Sequence, residues 1–158
     1  MDKESLKEMR EYVWNYFIAY AEARLSTFRF YLVFCTILIA GLAAISGTSE
    51  KWLASSLALL LSFLSFIYWK VDIRHKELIN HAEQALEYLE KKFPIPKGEK
   101  QPHVIQLFYS EAERSKSYKR FPKHFSPNAY FSYSTSVNLV FWAFGLGGII
   151  TAIVLLVR

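Results

Sequence analysis

Two uncharged runs separated by a single pair of charges constrain this chain more than any other feature. Phe30 to Ser49 is twenty residues without a charge, Trp52 to Trp69 is eighteen, and only Glu50 and Lys51 stand between them. At the rise of an α-helix, each run is about long enough to cross the ~30 Å hydrocarbon core of a bilayer. Gly47 supplies a helix stop just ahead of Glu50 and Lys51, so the two segments are predicted to form a tight antiparallel hairpin. A third uncharged run extends from about Ser136 to Val157 and is closed by Arg158. A composition of 53% hydrophobic and 17% aromatic residues exceeds ordinary soluble usage, and three spans leave little of the 158 residues for a separate soluble core.

The remaining segments read as helix and linker. Residues 1–29 carry five acidic and five basic residues before any long apolar run, so no cleaved secretory signal is expected. Within them Leu6, Met9, Val13, Phe17 and Tyr20 recur at helical spacing, which predicts an amphipathic helix that packs on the protein or lies in the lipid interface. After the second span Leu78, Ala82, Ala85, Leu86, Leu89 and Phe93 continue the helical period until Pro94, Pro96 and Gly98 stop it. A shorter helix is predicted over about 104–114. The expected fold is therefore an all-α integral membrane protein with four segments. These are an amphipathic helix over 1–28, a transmembrane hairpin over 29–70, a cytoplasmic helical and basic segment over 71–134, and a third transmembrane helix over 135–158.

Orientation follows from the distribution of Lys and Arg, which concentrates on the cytoplasmic side of short segments. Residues 1–30 hold five and residues 70–135 hold twelve, against only Lys51 and Arg158 on the other side. The N-terminus and the central segment are expected in the cytoplasm and the C-terminus outside, in a multi-pass protein of the cell inner membrane. Trp52 and Trp69 bracket the second span, where amphipathic rings favour the headgroup level.

Catalytic signatures are missing from the sequence. It contains no Walker loop, Gly-x-Ser-x-Gly elbow, His-Glu-x-x-His or dinucleotide turn, so an enzyme is not expected and no cofactor is implied. The lone Cys35 can form neither an intrachain disulfide nor a cysteine zinc site, and His75 and His81 are spaced onto different helix faces, so no metal is expected. Asp72, with Arg74 and Glu77, reads as a solvated helix start beside the headgroups.

The sharper signal is the run from Arg114 to His124, with five basic residues in eleven positions and no acidic residue after Glu113. Arg114, Lys116, Lys119, Arg120 and Lys123 could neutralise phosphates, while Tyr118 and Phe121 offer faces on which bases could stack. The same residues would also serve as an anchor on anionic lipid, at about 1 kcal/mol for each cation. In the second span Ser55, Ser62 and Ser65 form a polar stripe suited to close helix packing or to lining a pore. Small-residue faces recur at Ala40 and Ala44, and at Ala143, Gly147 and Thr151 beside Gly148 and Ala152. Three such faces in so short a chain predict association between copies into a closed homo-oligomer, a tetramer being one such form.

The run FIYWKVDIRHKELINHAEQALEYLE, Phe66 to Glu90, and the run SYSTSVNLVFWAFGLGG, Ser132 to Gly148, carry a resemblance. In these the chain resembles small membrane proteins of bacterial anti-phage defence loci, the membrane effector of the Hailong system among them. The likeness covers about two thirds of the chain as an order of elements, through amphipathic motifs of low specificity. It implies an oligomeric ion channel held closed by a single-stranded DNA oligomer from a partner nucleotidyltransferase, whose opening depolarises the infected cell. The departure is that no intramembrane charge marks a conduction path. The rival reading is a non-conducting scaffold that recruits a cytoplasmic partner or anionic lipid.

The basic segment yields a test that separates nucleic acid from lipid. Phosphate contacts weaken with salt, whereas stacking is salt-tolerant and contributes ~1–3 kcal/mol per base. Replacing Lys119 and Arg120 with Ala should therefore weaken oligonucleotide binding most at low salt, and Tyr118→Ala should weaken it equally at every salt concentration. Fluorescence anisotropy in neutral detergent measures both. An absence of wild-type binding at ~50 mM salt would leave only the lipid anchor.

Overall fold

The structure, a computed structural model, describes residues 3–45, 47–48, 50–92, 106–111 and 133–157. It is all-α. Helix α1 spans Lys3–Ile45, α2 spans Lys51–Lys92 and α3 spans Tyr133–Val157, with a short helical turn over 107–111. Among the described residues there is no strand.

Helix α1 runs unbroken through the boundary read near residue 28, and α2 carries the second span on into the helical period that follows it. Neither proline nor glycine occurs between Lys3 and Ala40, and none occurs anywhere from Lys51 to Lys92. Nothing therefore breaks the i→i−4 ladder where the amphipathic pattern gives way to the apolar run near residue 28, or where the apolar run ends near residue 70. At 43 and 42 residues, α1 and α2 are each roughly 63 Å long, about twice a bilayer core.

The turn between them is held by local hydrogen bonds. Thr48 donates to the carbonyl of Ile45 from both its backbone N–H, at 2.9 Å, and its hydroxyl, at 2.9 Å. These bonds satisfy one of the carbonyls that a helix end leaves without an intrahelical partner. The Glu50 carbonyl then accepts from the N–H groups of Leu53 and Ala54 and so opens α2. The Glu50 carboxylate accepts from Trp52 Nε1 at 2.8 Å, which ties the acidic residue of the turn to the aromatic ring beside it.

The chain divides into two compact units, and α1 and α2 contribute to both. One comprises Met1–Glu22 with His75–Ala129. In its described part, Ala82, Leu86 and Leu89 form a buried stripe on α2. Phe108, on the turn over 107–111, meets Phe17 and Trp14 edge-on at 5.7 and 6.3 Å. Glu90 fixes that turn, its carboxylate accepting from Tyr109 N–H and its carbonyl from Gln106 Nε2. Part of the amphipathic face of the N-terminal segment thus packs on protein.

The other unit, Ala23–Arg74 with Tyr130–Arg158, holds the three apolar stretches. Tyr31, Cys35, Leu61, Val137 and Phe141 are its buried centre. The pairs Ser55 with Ala152, Ala58 with Gly148 and Trp69 with Trp142 show α3 running antiparallel to α2, which sets Trp142 level with Trp69. Gly148 is where the two backbones come closest. A Cβ there would lie 2.6 Å from the Ala58 carbonyl oxygen and 3.1 Å from Ser62 N. Outside this centre little is covered: 11%, 28% and 17% of the apolar windows of α1, α2 and α3 is buried within the chain. In water such surface would be untenable, whereas acyl chains accept it.

Substitution at the two neighbouring glycines should give opposite results. Gly148→Ala drives a methyl into backbone and should cost ~1–3 kcal/mol, as overpacking does. Gly147, with nothing within 4 Å of its position, should accept Leu without loss. Thermal unfolding followed by circular dichroism, in mixed micelles that keep the chain monomeric, should show a lowered Tm for Gly148→Ala alone.

Candidate functional site

Polar side chains inside an apolar helix bundle are the residues for which a purpose must be found, because hydrocarbon offers them no water. In the membrane unit these are Ser55, Ser65 and Asp72 among the described buried residues, together with the partners they hold. The tight turn positions two of them. In an antiparallel hairpin, residues equally distant from the turn face each other, and Tyr31 with Ser65 and Arg24 with Asp72 both stand symmetrically about Thr48.

Ser65 Oγ donates to the Leu61 carbonyl at 2.7 Å. Its single proton is thereby committed, so in the contact with Tyr31, at 2.9 Å, the phenol donates to Ser65 Oγ. Tyr31 is fully buried, and its ring is also packed by Phe141 at 4.7 Å, Tyr68 at 5.2 Å and Phe144 at 6.2 Å. One side chain of α1 therefore touches both other helices.

Arg24 and Asp72 form a two-pronged ion pair. Nε donates to Oδ1 at 2.7 Å and Nη2 to Oδ2 at 3.0 Å, with the side chains only 12% and 6% exposed. This planar match is the strongest form of guanidinium–carboxylate contact. It corrects the reading of Asp72 as a solvated helix start: Asp72 lies in the middle of α2, is 4% exposed and faces α1. Two charges spaced one on each arm of the hairpin were the available signal, and counting from the turn pairs them.

The residues singled out from the sequence fall in different places. Ser55 is buried against α3 and donates to the Ala152 carbonyl over 3.4 Å, and Ser62 is half-buried beside Gly148. Ser65 is bound to α1, as described. Gly147 lies on the exposed side of α3 with Ala143 and Thr151, while Gly148 and Ala152 occupy the buried side. Ala40 and Ala44 of α1 are exposed too. Arg114, Lys116, Tyr118, Lys119, Arg120, Phe121 and Lys123 lie outside the described residues. Among the described residues no three His, Cys, Asp or Glu side chains converge as metal ligands would.

The geometry is that of a clasp, which fixes the register of membrane helices by hydrogen bonds and a sheltered ion pair. The sequence matches the Octameric membrane protein family (8xMP) over residues 7–157, nearly its whole length. The chain belongs to this family. A relative from Escherichia coli, CD-NTase-associated protein 19, is 36% identical over 85 residues, which is 52% of this chain and 56% of the relative. The chain thus spans little more than half the length of that curated relative. No solved structure matches. As an octameric membrane protein family member with three helices long and apolar enough to span a bilayer, the chain is a multi-pass membrane protein.

The ion pair of this family member should be worth most as a pair. Arg24→Met leaves a sheltered carboxylate without its partner and should cost ~3–5 kcal/mol, whereas replacing both residues with apolar ones should be close to neutral. Thermal unfolding in detergent of Arg24→Met, Asp72→Leu and the double variant measures the difference. A loss in the double variant equal to the sum of the two single losses would show that the pair has no mutual role.

Proposed function

We propose that the chain is a non-enzymatic membrane effector of an anti-phage defence system. It assembles as a homo-oligomer in the inner membrane, with its N-terminus and basic segment in the cytoplasm, and forms an ion pore gated by a phosphate-bearing ligand on that segment. The observation that carries the reading is the family match over residues 7–157, beside a relative named for association with a CD-NTase. A nucleotidyltransferase makes phosphodiester products, and a cluster of five cations with interleaved aromatic rings suits such a product, whether a nucleotide or a short single strand. The family name supports eight subunits in preference to the four that the sequence left open. The resemblance to the Hailong effector enters this proposal at the same coarse level, as a membrane protein answering a nucleotidyltransferase.

The exposed faces support assembly. Lipid gives apolar helices no hydrophobic reason to associate, so close packing of small residues supplies the attraction. Ala40 and Ala44 on α1, and Ala143, Gly147 and Thr151 on α3, are exposed on the single chain and so can take this part.

One observation favours the non-conducting scaffold. Of Ser55, Ser62 and Ser65, the candidates for a polar pore lining, Ser55 and Ser65 direct their hydroxyls to partners inside the chain and Ser62 is half-buried beside Gly148. In the conducting reading the water path therefore runs between copies. Flux from liposomes holding the purified full chain separates the two. A flux of trapped ion that single-stranded oligodeoxynucleotide switches, on or off, is expected for the effector. Binding of the oligonucleotide with no flux in its presence or its absence would establish the scaffold.

A further inference from the structure

Beside the Gly148 contact, α2 and α3 diverge enough to leave a groove of about 480 Å³ on the surface of the membrane unit. Its walls are Phe63, Phe66, Trp69, Trp142 and Leu146, and Gly145 contributes no side chain to its floor. The groove is almost wholly apolar, and its volume falls within the ~300–1,000 Å³ of small-molecule sites. The walls are open to the surroundings, Phe63 being 60% exposed and Trp142 53%.

One end of the groove differs from the rest. Trp69 and Trp142 meet there at 5.5 Å, and Lys70 stands immediately beyond, its Nζ 4.9 Å from the Trp69 ring and 5.8 Å from that of Phe66. Lys70 is the first charge after the apolar run of α2, so this end lies at the headgroup level, where tryptophan rings also settle. The ammonium uses the aromatic faces on one side and remains exposed on the other. A basic group at the mouth of an apolar crevice between membrane helices is the arrangement that binds anionic lipid headgroups.

We propose that this groove is a binding site for an anionic phospholipid, with one acyl chain against Phe63, Phe66 and Leu146 and the headgroup phosphate on Lys70. The alternative occupant is a helix from a second copy. Charge complementarity decides against it: a helix seated over the Trp69 end would cover the Lys70 ammonium without neutralising it, which is costly at the edge of hydrocarbon. A lipid phosphate neutralises that charge and leaves the chain in the apolar part. The inference requires only that the chain spans a bilayer, and stands or falls independently of conduction.

Native mass spectrometry of the full chain tests it, after exchange into neutral detergent with equal amounts of phosphatidylglycerol and phosphatidylcholine bearing the same acyl chains. Wild type should retain phosphatidylglycerol about fivefold more than phosphatidylcholine, the preference expected of one interfacial cation. Lys70→Gln should abolish the preference while the two lipids remain bound equally. Gly145→Leu should reduce retention of both by filling the floor. Leu146→Trp, which narrows the groove from its exposed wall, should do the same and serves if Gly145→Leu does not fold. Equal retention of the two lipids by wild type, or an undiminished preference in Lys70→Gln, would overturn the site. So would loss of oligomer mass in the groove-filling variants with lipid retention unchanged, which would give the groove to a neighbouring copy.

Discussion

The hydrogen bond from Tyr31 to Ser65 is the contact on which the membrane unit is organised. Between helices in hydrocarbon there is no hydrophobic driving force, so association depends on packing and on polar contacts of about 1 kcal/mol each. Small terms of this kind work only when they converge. Tyr31 gathers them: its hydroxyl fixes the register of α1 on α2, and its ring gives α3 a surface through Phe141 and Phe144. Ser65 also returns its own proton to the Leu61 carbonyl, so every polar atom in this contact is satisfied by protein. Arg24 and Asp72 repeat the same register farther from the turn with charges in place of hydroxyls.

Much of this was legible in the sequence because the bilayer enforces it. An uncharged run of eighteen or twenty residues has one economical structure in lipid, and two such runs joined by Glu50 and Lys51 can only double back. Segment limits were less legible. Hydropathy marks where the surroundings change, but a helix ends only where its backbone ladder is broken, and from Lys3 to Ala40 and from Lys51 to Lys92 no residue breaks it. Asp72 was misread for a related reason: composition places a carboxylate near headgroups, and only pairing across the hairpin reveals the guanidinium that shelters it. For Gly147 and Gly148 the difficulty is angular. Neighbours on a helix point about a quarter-turn or more apart, so a cluster of small residues does not say which one touches the next helix. Position opposite Ala58 selects Gly148.

The same geometry bears on the function proposed for the chain. A polar stripe on one helix and a closed polar core in one chain are alternatives, and here Ser55 and Ser65 of α2 belong to the core. What the chain presents outward is apolar bulk, such as Phe30, Ile37, Phe63 and Leu156, interrupted by small residues on α1 and α3. A surface of that kind is made for lipid and for copies of itself. The division of labour is then plain: polar groups hold each subunit together, while small and apolar ones determine what surrounds it.

The brevity of the turn around Thr48 also governs how such a chain can enter the membrane. Between Ile45 and Lys51 there is no length for one arm to wait in water while the other crosses. The two arms are expected to insert together, as a helical hairpin with Glu50 and Lys51 at its tip. Closing of the hairpin brings Tyr31 opposite Ser65 and Arg24 opposite Asp72 in a single event, so each polar group meets its partner as the arms come together. Helix α3 follows later in synthesis and finds the Tyr31 ring already in place. Order of biogenesis and order of assembly are in this way written into the spacing of a few residues about one turn.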